Sequence, residues 1–362
     1  MGVLPGPHAM TTHSHHHPSP INASSSSPIT WIITDNGKVG TENQALGLAK
    51  ALSLEAKTFY VKARPLFFWW PRRSWRLWSA KVLRRDTLSP PWPHMLITAG
   101  RSATGVGACL KRLLGRRVYH IALMDPKLPE VFFDAIIAPA HDKREGGHVI
   151  NTTLSLHDIS SPQLASEKVA WQKRLEGLPL PFLGVMLGGS TRSFYFSSVF
   201  ARQLAEDILA IARSHKVTPL IIPSRRTPQT ALAIIKKALE GTPHFVWTRE
   251  GDNPYHGVLA LADYVLVTGD SVQMISEAAS LRTPLFVYPL PYTSDKLKAF
   301  HTSVFQKNIA RPFEGSLFSW AREPYREEEH VANALKKKIN AHLQRLKEAS
   351  DKELPSLRHK EP

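Results

Sequence analysis

The sequence predicts an α/β protein built from two Rossmann-like domains that face each other across a cleft. The chain has 362 residues, which is enough for two domains that each bury a core of their own. Short apolar runs such as Tyr264–Thr268 (YVLVT) recur along it, as is typical of buried parallel strands. Several of these runs end in a Gly- or Ser-rich turn, after which apolar residues continue at helical spacing. This alternation of strand, turn and helix predicts parallel sheets covered by helices.

Composition indicates the compartment in which the protein works. Residues 1–28 are rich in His, Ser and Pro and lack the apolar core of a secretory signal, so we expect a disordered arm there. The sequence has no run of 18 or more apolar residues, so no transmembrane helix is expected. The single cysteine, Cys109, fits a reducing compartment. Together these features predict a cytoplasmic location.

Residues 29–160 form the predicted first domain, in which two strands end in polar turns. Asp35-Asn36-Gly37-Lys38 follows one strand, and Gly100-Arg101-Ser102 follows the other. A helix that begins just after a strand offers unpaired N–H groups and a partial positive charge to an anion. Neither turn has the spacing of a Walker A loop or of the GxGxxG fingerprint. The candidate residues for phosphate or acceptor binding here are Asn36, Gly37, Asn43, Gln44, Gly100, Arg101 and Ser102. For Asn43 and Gln44, capping of the first helical turn is the alternative.

An insert at residues 62–93 interrupts this domain. Its residues 62–85 carry eight Lys or Arg, six Phe or Trp and no acidic residue. Cations beside aromatic rings suit an anionic membrane surface or a lipid-linked acceptor at the inner face of the membrane. Packing against the domain's own core and stacking on single-stranded nucleic acid are the alternatives. Since no RNA-binding signature accompanies the insert, we expect no nucleic-acid partner. The formal charge of +16 also favours an anionic partner.

Residues 178–320 form the predicted second domain, after a polar crossover at residues 151–181. Three of its strands end in Gly- or Ser-rich turns, two of them with Arg, which predicts a diphosphate site. Glu277 lies six residues into the helix after the last of these turns, close enough to accept hydrogen bonds from both hydroxyls of a ribose. A solvated Glu on an exposed face, and a solvated turn for Arg225 and Arg226, are the alternatives. The candidate residues for binding the nucleotide sugar are Gly188, Gly189, Ser190, Arg192, Ser224, Arg225, Arg226, Gly269, Asp270, Ser271 and Glu277.

Two sets of motifs resemble known families. Thr268-Gly269-Asp270-Ser271, followed by Ser276-Glu277-Ala278 and a closing strand, resembles the donor-nucleotide site of GT-B glycosyltransferases, in particular the lipid-intermediate N-acetylglucosaminyltransferase of peptidoglycan synthesis. Five motifs resemble the Elm family, which is named for a plant mitochondrial-fission factor and has bacterial members described as GT-B-like glycosyltransferases. The five motifs, spread over about residues 30 to 320, are Thr34-Asp35-Asn36-Gly37-Lys38, Gly100-Arg101-Ser102, Gly188-Gly189-Ser190, Ser224-Arg225-Arg226-Thr227-Pro228 and Asp252-Asn253-Pro254-Tyr255.

The resemblance implies a GT-B-like fold and a glycosyl-transfer reaction. In that fold a Glu on this helix, here Glu277, holds the ribose, and a late helix, here residues 326–348, packs back on the first domain. The substrate would be a nucleoside-diphosphate sugar, with no further cofactor. We expect no metal, since no DxD-type carboxylate pair lies beside the Gly turns. The peptidoglycan enzyme has a histidine in its first Gly-rich loop, where this chain offers Asp35, Lys38, Glu42 and Asn43. We expect Asp35 to be the general base, with Lys38 beside it.

Two other functions fit the same resemblance. A non-catalytic GT-B-like scaffold would use the basic and aromatic insert to recruit partners to a membrane. A sugar-nucleotide epimerase would use the same nucleotide site without an acceptor. Glu277 together with three Gly- or Ser-rich turns favours an enzyme, because a scaffold has no physical need for them.

Overall fold

The computed structural model describes residues 27–61 and 88–357, with side chains as far as residue 349. Nearly all of the predicted arm at residues 1–28 lies outside the described residues. Most of the predicted insert at residues 62–93, including residues 62–85, lies outside them too. Among the helices that the structure describes, none is both long and apolar enough to cross a bilayer.

The first domain is built on a six-stranded parallel sheet with the strand order β2-β1-β3-β4-β5-β6. Its central strands are buried on both faces, which explains why they read as continuous apolar runs. The strands of this sheet are β1 (Thr30–Asp35), β2 (Ala56–Val61), β3 (Met95–Ala99), β4 (Tyr119–Leu123), β5 (Ala135–Pro139) and β6 (Val149–Thr152). The chain order reverses between β1 and β3, where an open α/β sheet forms its ligand crevice.

Helices cover both faces of the first sheet. Helix α1 (Val39–Ala51) buries Leu48 on one face, and helix α2 (Arg101–Leu114) buries Leu110 on the other. Both helices follow the turns from which the sequence predicts anion binding. The first turns of α1 and α2 therefore lie at the same edge of the sheet.

The second domain is built on another six-stranded parallel sheet, with the strand order β12-β11-β10-β7-β8-β9. Its strands are β7 (Phe182–Leu187), β8 (Thr218–Pro223), β9 (Phe245–Val246), β10 (Tyr264–Thr268), β11 (Leu285–Tyr288) and β12 (Arg311–Pro312). The chain starts at β7, runs outward to β9 and returns to β10 beside β7, which is the order of dinucleotide-binding folds. The crevice of this sheet therefore opens between β7 and β10.

Six helices accompany the second sheet. Two of them, α4 and α5, share one apolar cluster with Leu183 and Leu266, and the others pack around Met186 and Val265 on the opposite face. The helices are α3 (Ser161–Arg174), α4 (Ser198–Ser214), α5 (Gln229–Ala238), α6 (Tyr255–Leu261), α7 (Val272–Ala279) and α8 (Asp295–Gln306). The two parallel sheets with helices on both faces confirm the predicted fold class.

Helix α3 lies inside the segment that the sequence predicts as the polar crossover between the domains. Ser160 caps it by accepting a hydrogen bond from the Gln163 amide, and Pro162 occupies the first turn, where a proline costs no helical hydrogen bond. The helix buries Leu164 and Trp171, and most of its other side chains are exposed. Pro162 therefore marks a helix start.

The last helix, α9 (Glu327–Leu357), returns to the first domain. Its Val331, Leu335 and Ile339 are buried with Leu48 of α1 in one cluster. Each fully buried aliphatic side chain contributes about 1.5–3 kcal/mol relative to exposure. At the start of the helix, the Glu327 carboxylate accepts hydrogen bonds from the amides of Thr153 and Leu154, at 2.9 and 2.7 Å.

Arg322 caps the carboxyl end of α7. Arg322 is 6% exposed, and its guanidinium donates to the carbonyls of Ala278, Ala279 and Leu281 at the end of that helix. It also donates to the carbonyls of Thr283 and Ile309. Carbonyls at a helix end have no intrahelical partners, and a cation satisfies them well. Arg322 therefore fixes the position of the helix that carries Glu277.

We expect Arg322→Ala to lower the free energy of unfolding by about 3 kcal/mol or more, because it leaves several buried carbonyls without donors. Denaturant titration measures this change. The matched control is Arg282→Ala, whose partner Glu323 lies on the surface, with exposures of 63% and 76% for the two side chains. This control should cost at most about 1 kcal/mol. Equal losses in the two variants would contradict the capping role.

Candidate functional site

The two strands that border the crevice of the second sheet are joined by Asp270. One carboxylate oxygen accepts a hydrogen bond from the Gly189 amide at 2.8 Å, and the other accepts one from the Thr268 hydroxyl at 2.8 Å. The same hydroxyl accepts from the Gly188 amide at 2.8 Å. Asp270 is only 8% exposed. Burial raises the pKa of Asp270, while the Gly189 and Thr268 hydrogen bonds and the charge of Arg226 oppose this rise.

Gly188 and Gly189 are required by close packing at this corner. A Cβ atom on Gly188 would lie 2.1 Å from an Asp270 carboxylate oxygen, and one on Gly189 would lie 2.2 Å from the Arg226 carbonyl. Their amides are already used within the chain. The two glycines therefore let the backbone approach Asp270 and Arg226, and the groups left to meet a phosphate are the side chains around them and the start of α7.

The turn after β8 brings cations to the same corner. Ser224 donates through its hydroxyl to the Gly188 carbonyl at 2.6 Å, and Thr227 donates to the Leu187 carbonyl at 3.1 Å. These bonds hold the turn against the end of β7. Arg226 pairs with Asp270 at 3.4 Å while 46% of its side chain stays exposed, and Arg225 is exposed beside it.

The loop after β7 reaches α4 only after a further ten residues. Ser190 lies at its start and accepts a hydrogen bond from the Phe196 amide at 3.0 Å, which curls the loop back. Arg192 is exposed within the curl. The predicted nucleotide-sugar residues Ser190, Arg192, Ser224, Arg225 and Arg226 thus belong to two loops that follow the adjacent strands β7 and β8.

Helix α7 begins directly at the crevice. Gly269 and Asp270 follow β10, and Ser271 caps the helix by accepting a hydrogen bond from the Met274 amide at 3.4 Å. The first N–H groups of a helix have no intrahelical partner, and together with the macrodipole they attract an anion. This corner therefore has the geometry that the sequence predicts for a phosphate.

Glu277 is buried on α7, with 9% of its surface exposed. Its carboxylate accepts hydrogen bonds from the Tyr255 hydroxyl and, at 3.0 Å, from the side-chain amide of Gln273. Burial raises the pKa of Glu277, and these two hydrogen bonds oppose the rise. The alternative of a solvated Glu on an exposed helix face is therefore wrong.

Four residues of this site are absent from the sequence-based candidates: Thr227, Thr268, Tyr255 and Gln273. Tyr255 belongs to the Asp252-Asn253-Pro254-Tyr255 motif and begins α6 directly after Pro254. Gln273 lies four residues before Glu277, the spacing at which helical side chains meet. Both signals are in the sequence, but neither shows which side chain would bond to Glu277.

The corner of the first sheet is organised around Asp35. Its carboxylate accepts hydrogen bonds from the amides of Ser102 and Ala103, at 3.1 and 2.9 Å, and from Lys38 at 3.1 Å. Gly100 has a φ of +109°, and a Cβ there would lie 2.6 Å from the Asp35 carboxyl carbon. Asp35 is only 8% exposed. Through its bonds to the two amides it caps the start of α2 from the neighbouring strand. Its assignment as general base stays a prediction.

The remaining candidates of the first domain occupy the rim of the same corner. The Asn36 amide donates to the Val61 carbonyl at 2.9 Å, which ties the loop to β2, and Gly37 turns the chain with a φ of +79°. Arg101 is exposed at the start of α2, and Asn43 is half-buried on the first turns of α1. Gln44, one residue further, donates from its side-chain amide to the side-chain oxygen of Gln273 at 3.3 Å.

Further contacts join the two domains beside the crevice. Lys296, on the first turn of α8, pairs with Asp142 of the first domain at 2.5 Å. Lys307, just past the end of the same helix, donates to the Thr153 hydroxyl at 2.6 Å. Gln273 also donates to the Leu156 carbonyl at 3.3 Å, in the segment that connects the domains. Helix α7 therefore lies at the junction of both domains.

Comparison with known proteins gives relatives along most of the chain. "Mitochondrial fission protein ELM1" of Arabidopsis thaliana is 27% identical over 286 residues, which cover 72% of this chain and 67% of that protein. An uncharacterized protein of Rickettsia prowazekii (strain Madrid E) is 29% identical, with 84% of this chain and 97% of that protein covered.

Among solved structures, UDP-GlcNAc 2-epimerase from Methanocaldococcus jannaschii superposes with a TM-score of 0.52 at 12% identity. The superposition covers 85% of this chain and 99% of that one. At this identity the likeness concerns the fold alone, and it agrees with two Rossmann-like domains arranged as in GT-B proteins. Residues 39–339 match the family model described as mitochondrial fission ELM1, so the chain belongs to that family.

Proposed function

We propose that this protein binds a nucleoside-diphosphate sugar in the crevice between β7 and β10 and transfers the sugar to an acceptor hydroxyl. The observation that carries the proposal is the buried Glu277 carboxylate, six residues beyond the Ser271 cap of a helix that starts at this crevice. The spacing between Ser271 and Glu277 allows a diphosphate to lie at the helix start while the ribose of the same nucleotide reaches Glu277.

The charges around the crevice suit the leaving group. Arg225, Arg226 and Arg192 are exposed on the loops after β7 and β8. Arg226 has a long ion pair with Asp270, at 3.4 Å, and half of its side chain faces solvent, so little is lost when it turns to a phosphate. Guanidinium groups bind phosphate oxygens with two parallel hydrogen bonds. They would stabilise the negative charge that develops as the diphosphate departs.

The proposed reaction is a displacement at the anomeric carbon. The acceptor oxygen forms a bond to that carbon, the bond from the carbon to the diphosphate oxygen breaks, and its electron pair leaves with the nucleoside diphosphate. The acceptor proton passes to a general base on the first domain. Asp35 with Lys38 is our candidate, because it lies at the first sheet's crevice. Its two amide donors hold the carboxylate in a fixed orientation.

A sugar-nucleotide epimerase is the second candidate, because the UDP-GlcNAc 2-epimerase on which this chain superposes has the same fold. The two activities differ in their products. Incubated with UDP-GlcNAc and no acceptor, an epimerase would produce the epimer of the sugar. A glycosyltransferase would leave the donor unchanged or release UDP slowly. The remaining alternative, a non-catalytic scaffold that recruits partners to a membrane, predicts no turnover of any nucleotide sugar.

The first test of the site is Glu277→Ala. We expect this variant to bind UDP about ten- to a hundredfold more weakly, the contribution of hydrogen bonds to a charged group, and to bind inorganic pyrophosphate as the parent does. Isothermal calorimetry measures both affinities. Glu206→Ala, an exposed carboxylate on α4, is the matched control. Equal UDP binding by parent and Glu277→Ala would contradict the ribose assignment.

The second test concerns the diphosphate. Replacing Arg225 and Arg226 together by Ala should weaken both UDP and pyrophosphate, because both ligands lose the same cations, while the unfolding midpoint changes little. The paired control replaces Arg202 and Arg213, two exposed arginines on α4. A drop in stability with unchanged affinity would instead assign the pair to the turn's structure.

Attachment to an anionic membrane is the proposal for the acceptor side. It rests on residues 62–85, which lie outside the described residues. Each basic residue near an anionic surface contributes about 1 kcal/mol, and salt weakens this attraction. We expect the protein to sediment with anionic vesicles at low salt, and Trp69→Ala/Trp70→Ala/Trp75→Ala to sediment less. If the parent stays in the supernatant with anionic vesicles at low salt, the membrane proposal fails and the acceptor need not be a lipid.

A further inference from the structure

A chain of side-chain hydrogen bonds connects the first domain to Glu277. Gln44 of α1 donates to the Gln273 side-chain oxygen at 3.3 Å, and the Gln273 amide donates to Glu277 at 3.0 Å. Tyr255 donates to the other Glu277 oxygen. The first contact joins residues that are 229 positions apart and belong to different domains. The carboxylate proposed for ribose is thus held from both sides of the domain boundary.

The partners of Gln273 determine how its amide is oriented. Its nitrogen faces the Leu156 carbonyl at 3.3 Å and the Glu277 carboxylate at 3.0 Å, and both of these groups can only accept. Turning the amide by 180° would place the Gln273 side-chain oxygen against the Leu156 carbonyl oxygen and the Glu277 carboxylate, and neither of these can donate a hydrogen bond to it. The orientation with the oxygen toward Gln44 therefore satisfies every group in the chain, and Gln44 is the donor that stabilises it.

Glu277 keeps unused hydrogen-bond acceptor sites in this arrangement. A carboxylate has about four lone-pair sites, and Gln273 and Tyr255 occupy two of them. Two sites remain for the two hydroxyls of a ribose. Because the existing bonds fix both oxygens, the carboxylate does not have to be ordered when the nucleoside binds, and this preorganisation increases affinity.

We propose that Gln44 is a positioning residue for the nucleoside, which orients Glu277 through Gln273 without touching the ligand. The inference rests on the proposed function, because it assumes that ribose binds at Glu277. Its consequence is a linkage between the domains: nucleoside affinity is highest when α1 is docked against α7. Since binding linkage is reciprocal, a bound nucleoside also favours the docked arrangement.

The test is a double-mutant cycle on Gln44 and Gln273, with UDP and pyrophosphate as the probes. We expect Gln44→Ala to weaken UDP about two- to tenfold, the effect of one neutral hydrogen bond, and to leave pyrophosphate unchanged. In the Gln273→Ala background the same change should have no further effect on UDP. Gln44→Glu should weaken UDP more than Gln44→Ala does, because an acceptor at position 44 draws the Gln273 nitrogen away from Glu277.

The control is Gln203→Ala, which removes another glutamine donor, 3.1 Å from Asp207, on the distant helix α4. It should leave both ligands unaffected. If Gln44→Ala weakens UDP and pyrophosphate equally, or adds its full effect in the Gln273→Ala background, the positioning role is overturned. If Glu277→Ala weakens UDP and Gln44→Ala does not, the inference fails and the nucleotide site stands. If Glu277→Ala leaves UDP unchanged, the site itself fails.

Discussion

The Asp270 carboxylate is the group on which the crevice of the second domain depends. It accepts hydrogen bonds from the Gly189 amide and the Thr268 hydroxyl and pairs with Arg226, so one buried side chain joins the ends of β7 and β10 and the turn after β8. A buried charge is costly unless donors surround it. The two short hydrogen bonds, from the Gly189 amide and the Thr268 hydroxyl, satisfy this charge from the ends of two strands and so fix the geometry of the crevice, while the longer Arg226 pair can be exchanged for a ligand.

The first domain uses the same device at the corresponding place. Asp35 ends β1 and accepts hydrogen bonds from the first amides of α2, which follows the adjacent strand β3. In both domains an aspartate at the point where the strand order reverses holds two neighbouring strand ends together. A Gly lies against each carboxylate, Gly100 beside Asp35 and Gly188 beside Asp270, where a Cβ would collide with it. The motifs that resemble nucleotide-binding turns are thus also the motifs that assemble the fold.

Local patterns were sufficient for most of the fold and for part of the site. The strand Tyr264–Thr268 has the bounds that its apolar run predicts, because a buried parallel strand needs no partner-specific signal. Helix α3 was missed because its surface is polar and its proline lies in the first turn. The bond between Tyr255 and Glu277 spans 22 residues, and the bond between Gln44 and Gln273 depends on how two domains dock. No local spacing encodes either contact.

Helix α8 contacts the first domain at both of its ends. Its carboxyl end touches Thr153 through Lys307, beside the segment that Glu327 clamps, and its amino end touches Asp142 through Lys296. A helix of 12 residues is about 18 Å long, so a rotation of about 10° around the clamped end moves the far end by about 3 Å. The Lys296 side chain is 68% exposed, and such a pair costs little to break. A rotation that separated Lys296 from Asp142 would therefore leave the bonds from the Thr153 and Leu154 amides to Glu327 in place.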